Sequence, residues 1–153
     1  RTIRAVMAEK ASVPQPGSDW DPAVLAKEIA DLRAKYEPLA AAGKPSPRMQ
    51  FDLAAHLLCS GRRSEVREGI ALMEELVEVG YQRTDCLHLL VLAYVKAGKY
   101  ICAKEKLDQW HSLQPQNGMA RLLHSLVLER AVHDGLLGIV CFGVLAAGAG
   151  LVL

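Results

Sequence analysis

The sequence predicts an all-α fold: a six-helix bundle built on two tandem helix-pair repeats, followed by a single C-terminal transmembrane helix. Three observations predict it. Pro and Gly cut the middle of the chain into helix-length pieces, and no stretch sustains the alternation of a strand. Apolar and small residues recur at a shift of 34 positions. Residues 135–153, "GLLGIVCFGVLAAGAGLVL", carry no charge in a chain that is 23% charged. As a helix this stretch spans roughly 28 Å, close to the ~30 Å of bilayer hydrocarbon.

In chain order, residues 1–17 read as a flexible arm, whose Ile3, Val6 and Met7 form a short apolar face. Asp19 or Asp21 caps the first helix, with Pro22 in its first turn, and the helix runs to about residue 42. Val24, Leu25, Ile29, Leu32 and Tyr36 share one face of it. "GKPSP" ends it, and a second helix covers about 48–60. "SGRRS" breaks the pattern before a third helix, capped by Ser64, which buries Val66, Ile70, Met73 and Leu76 or Val77. Thr84 or Asp85 caps a fourth helix ending at about residue 97, with Gly98 as its stop signal. A fifth runs from about residue 99 to a point before Pro115. Asn117 caps a sixth, over about 118–133, after which Gly135 opens the apolar stretch. The helical domain is therefore 18–134, and 135–153 is a membrane anchor. Five glycines in that stretch suit a membrane helix better than a water-exposed one.

At the 34-residue shift Leu53 falls on Leu87, Leu57 on Val91, Leu58 on Leu92, Gly69 on Ala103 and Met73 on Leu107. This is the tetratricopeptide period and most of its pattern. Gly69 and Ala103 stand where paired helices approach closely. Val91 and Trp110 depart from the pattern, which has glycine and alanine there. The sixth helix is a first helix without its mate, and Arg121 on the core position of Leu53 and Leu87 suits a terminal capping element. First helices of such repeats line a concave groove. Ala54, His88 and Leu122 form one row along it, and Leu58, Leu92 and Leu126 a second, apolar row that suits a peptide or helix. Lys96 is the main basic residue of this face, and the groove is expected to comprise Leu58, His88, Leu92, Lys96, Leu122 and Leu126.

Eighteen basic residues against 17 acidic ones give no electrostatic case for nucleic acid. Cys59, Cys86, Cys102 and Cys141 form no CxxC pair and have no His at metal spacing, so they read as small buried hydrophobes of a reducing compartment. Ser, Cys and His are spread over separate helices without a nucleophile–base motif, no phosphate-loop spacing occurs, and the five His include no HExxH. No enzyme, cofactor or metal is expected. The opening "RTIRAVMAEKASVPQPG" lacks the apolar run of a secretory signal, so the anchor is expected to insert after synthesis and leave the domain in the cytosol.

The stretches "MQFDLAAHLLCSGRRSEVREGIALMEEL", "LVLAYVKAGKY", "LQPQNGMA" and "DGLLG" resemble the mitochondrial fission 1 protein family over about residues 21–153. The resemblance implies a six-helix, tetratricopeptide-like domain facing the cytosol from the mitochondrial outer membrane, and often from peroxisomes. It implies a tail-anchored adaptor that helps to recruit a dynamin-related GTPase, directly or through linker proteins, with self-association as a further option. Members usually carry basic residues after the anchor, and none follow Leu153 here, which leaves mitochondrion, peroxisome and endoplasmic reticulum open. In relatives an arm can lie over the groove. The alternative is a tail-anchored receptor for chaperones or import that grips acidic peptide tails, which needs Lys, Arg and Asn along the inner helices.

Overall fold

The computed structural model of the protein describes residues 14–17 and 19–148, with side chains as far as 133. Ile3, Val6 and Met7, the side chain of Cys141, and residues 149–153 lie outside the described residues. Six helices and no strand occur among those described: α1 (Pro22–Ala41), α2 (Pro47–Cys59), α3 (Arg63–Val79), α4 (Arg83–Lys96), α5 (Tyr100–Leu113) and α6 (Gly118–Gly148). Each packs antiparallel on the next, so turns alternate between the two ends of the bundle.

Local chemistry sets most boundaries. The Asp21 carboxylate accepts from the Ala23 N–H at 2.9 Å and caps α1, with Pro22 in the first turn where its missing N–H costs nothing. Asn117 Oδ1 accepts from the N–H groups of Met119 and Ala120 at 3.0 and 3.1 Å and caps α6. Gly80 and Gly98 close α3 and α4 in the left-handed region, at φ 80° and 70°. Two expected caps are not caps. Ser64 lies inside the first turn of α3, because the Ser60 hydroxyl already accepts from the Arg62 N–H and donates to Glu65. Thr84 and Asp85 lie inside α4, whose N-terminus is turned by Gln82 at φ 38°. Nor does α6 stop at residue 133: it continues to Gly148.

Two apolar clusters hold the helices. The smaller joins Leu25 and Ile29 of α1 to Leu53 and Leu57 of α2. The larger runs through α2 to α6, with Leu58, Met73, Leu76, Leu87, Leu90 and Leu107 completely buried. Val24, expected on the inner face of α1, is 49% exposed: α1 meets only α2 and α3, so its apolar stripe is narrow. Arg33 adds a polar tie, its guanidinium donating to both Glu68 carboxylate oxygens on α3 at 2.6 and 2.9 Å. Glu74 on α3 links three helices, accepting from the Tyr94 hydroxyl on α4 at 3.1 Å and pairing with Lys106 on α5 at 3.0 Å. At the predicted close approach, a Cβ on Gly69 would stand 2.9 Å from Leu57 Cβ and 3.0 Å from the Ala54 carbonyl oxygen. Ala103, 34 positions on, is completely buried.

Candidate partner-binding groove

A row of positions 34 apart does not have one environment. Leu58 is completely buried, Leu92 half-buried, and Leu126 52% exposed. Ala54, His88 and Leu122 grade in the same way, the last being 56% exposed. Leu58 therefore cannot line an open groove, and its expected place there is corrected. The cause is stacking: α2 is enclosed by α1, α3 and α4, whereas among the described residues α6 packs chiefly on α5. What is open to a partner lies at the α4–α6 end.

There, α4 presents His88 and, at i+4, Leu92; the exposed Lys96, expected in the groove, lies at i+8, at the end of α4 away from the pocket. The His88 ring lies 4.9 Å from that of Trp110 on α5, tilted 32°. Trp110 is buried in the core, and its indole N–H donates to Gln114 Oε1 at 3.4 Å. Beside them opens a pocket of about 640 Å³, lined by Thr84, Asp85 and His88 of α4, Trp110 and Gln114, and Met119 of α6. From Met119, 53% exposed, an apolar stripe continues along α6 through Leu122 and Leu126 at i+3 and i+7. The inner face of the same helix, through Ala120 and Val127, is buried on the core. The stripe is thus surplus to the packing of α6.

Behind this surface, α6 is held by His124, whose Nε2 lies 3.0 Å from Asp108 Oδ1, while Lys104 pairs with the same carboxylate at 2.6 Å. The Lys104 bond, followed by that to His124, holds the Asp108 carboxyl below its ordinary range. No group of His, Cys, Asp and Glu among the described residues is arranged to hold a metal ion. The Cys59 thiol is pushed up to about 11 by burial, against the pull of Lys96, and Cys86 to about 12 by burial and by Asp85, so neither is an activated nucleophile.

The sequence singled out His88, Leu92, Lys96, Leu122 and Leu126, and the structure brings His88 together with Trp110 and Met119, which it did not. Trp110 carried a signal, a large ring at a small-residue position. Met119 carried another, as the third member of an i, i+3, i+7 set with Leu122 and Leu126.

No protein-family model matches the chain. The mitochondrial fission 1 protein of Debaryomyces hansenii is 33% identical over 109 residues, 70% of this chain and 71% of that protein. That of Homo sapiens is 30% identical over 127 residues, 82% of this chain and 84% of that protein. The crystal structure of the fission protein Fis1 from Saccharomyces cerevisiae matches with a TM-score of 0.65 at 18% identity, over 84% of this chain and 95% of that one. Yeast Fis1 in complex with an Mdv1 fragment, containing its N-terminal extension and coiled coil domains, matches with a TM-score of 0.58 at 17% identity, over 82% of this chain and 93% of that one. At these identities the two structures speak to the fold, which they share with this chain.

Proposed function

Since the chain belongs to the mitochondrial fission 1 protein family, we propose that it is a membrane-anchored adaptor that binds a division protein in the α4–α6 groove. By that contact it brings a dynamin-related GTPase, directly or through a linker protein, to the mitochondrial outer membrane and to peroxisomes. Residues 135–153 act as the anchor, and the helical domain faces the cytosol. The chain is not an enzyme.

The observation that carries this reading is the stripe Met119, Leu122 and Leu126, more than half exposed beside the His88–Trp110 pair. A helix face that is apolar and unused in its own fold is the kind of surface that receives an amphipathic segment. That yeast Fis1 forms a complex with an Mdv1 fragment supports a protein partner of the same kind. Among the described residues no helix is long and apolar enough to cross a membrane; the anchor assignment rests on the uncharged run 135–153. An acidic peptide tail is less well served, since Arg83 at the pocket donates to the Val77 carbonyl oxygen at 3.1 Å and Lys96 stands two turns beyond His88.

A photo-crosslinking residue at Leu126 of the full chain in mitochondria tests the reading. It should join the chain to a dynamin-related GTPase or to a linker that binds one. Crosslinks confined to lipid, or to this chain's own residues, would count against it.

A further inference from the structure

The alternation of turns puts chemistry at one end of the bundle that the groove does not use. The α2–α3 turn, "SGRRS", and the α4–α5 turn, "VKAGKY", contain Arg62, Arg63, Lys96 and Lys99 and no acid. They stand at the same end, because both follow helices of the same direction, and Lys96 lies close enough to Cys59 at the end of α2 to act on its thiol. Arg62, Arg63, Lys96 and Lys99 are all exposed, and Arg62 pairs with Glu65 at 3.3 Å. Asp19 and Asp21 border the patch, since Trp20 packs against His56 near the end of α2. The opposite turns carry Lys44, Arg48 and Arg83, spread over two turns, and Arg83 donates to the Val77 carbonyl oxygen.

The level of this end relative to α6 follows from the α5–α6 pairing. His124 meets both Asp108 and His111, and the two helices run antiparallel. Counting along them, Tyr100 at the start of α5 stands level with about residues 132 to 135 of α6, where the uncharged stretch begins. Two exposed apolar side chains, Ile101 at 61% and Val132 at 57%, lie at that level with no other use in the fold. Cations around exposed apolar side chains, at the depth where an apolar helix enters hydrocarbon, match the composition of a membrane interface.

We propose that this end of the bundle rests on the same membrane that holds the anchor, with Arg62, Arg63 and Lys99 against anionic lipid phosphates and Ile101 and Val132 in the headgroup layer. The proposal rests on residues 135–153 being a membrane anchor. Because α6 is continuous from Gly118 to Gly148, such seating fixes how the domain stands on the bilayer. The pocket-bearing ends of α4 and α6 then point away from the lipid.

The full chain, reconstituted in vesicles, tests it with a neutral acylating reagent followed residue by residue. Lys99 should react more slowly, by about fivefold, the factor expected for one basic residue held at an anionic surface, when about one third of the phosphatidylcholine is replaced by phosphatidylserine. Lys44 at the far end should not change, and strong salt or the pair Arg62→Glu and Arg63→Glu should restore Lys99. Equal reactivity of Lys99 in the two vesicle types, in a chain that resists carbonate extraction, overturns the proposal and leaves the anchor standing. Extraction of the chain by carbonate from both vesicle types overturns the anchor, and the proposal with it.

Discussion

At Gly69 the space beside a single hydrogen atom decides how α2 and α3 meet. A Cβ there would also lie 3.1 Å from the Leu58 backbone nitrogen, so two of its three nearest atoms are backbone and cannot rotate away. Gly69→Ala gains about 1 kcal/mol of helix propensity and loses about 1–3 kcal/mol to overpacking. The expected net result is a melting temperature lower by a few degrees. Gly61→Ala, where a Cβ meets nothing within 4 Å, should leave the melt unchanged. The thiols make a second prediction. Burial raises Cys86 from 9.0 to about 12 and Cys59 to about 11 in the folded chain. A raised thiol favours the fold fully below pH 9, and that contribution is lost as pH climbs from 9 towards 11 and 12, where the unfolded chain ionises first. Thermal melts across this window should fall more steeply for the wild-type chain than for Cys86→Ala. Equal slopes would show that the Cys86 thiol is not held protonated by the fold. Its burial was legible in the sequence, as a cysteine with no partner motif.

Helices differ in how much of themselves the sequence revealed. The period, the Pro and Gly breaks and the two side-chain caps were readable, because each acts within a few residues. The starts of α3 and α4 were not. One is governed by a hydroxyl four positions before the expected cap, the other by a glutamine in a conformation that glycine usually supplies. Gly135 suggested a helix end but carries none of the left-handed closure seen at Gly80 and Gly98, and α6 passes through it. For α1 the apolar stripe promised more contact than exists, and the Arg33–Glu68 pair compensates. Both side chains are about one third exposed, so solvent limits the pair to roughly 1 kcal/mol or less. Glu68→Gln should therefore barely change the global melt while speeding amide exchange in α1. Exchange in α5 and α6 should stay as it was, and α1 protection equal to wild type would show that Leu25 and Ile29 suffice.

Across the whole molecule, a repeat pattern identifies equivalent positions but not equivalent exposure. Leu58, Leu92 and Leu126 read alike in the sequence; only their place in the stack separates a core side chain from a surface one. The sequence could not separate these positions: Leu58 belongs to the core, His88, Leu92, Leu122 and Leu126 keep part of their surface, Lys96 is exposed at the end of α4 away from the pocket, and Trp110 and Met119 join the pocket only through packing between helices. The cations of "SGRRS" and "VKAGKY" can be counted in the sequence, but nothing local to those turns says that they lie side by side. The most direct test of the adaptor reading compares two substitutions in the full chain, Leu58→Glu and Leu126→Glu, reading thermal melting and capture of a dynamin-related GTPase or its linker together. A charge forced into the interior costs several kcal/mol, and one on an exposed stripe costs the fold little. Leu58→Glu should collapse the melt, and Leu126→Glu should melt like the wild-type chain yet lose the partner. Full capture by a folded Leu126→Glu chain would contradict the account and place the binding site elsewhere.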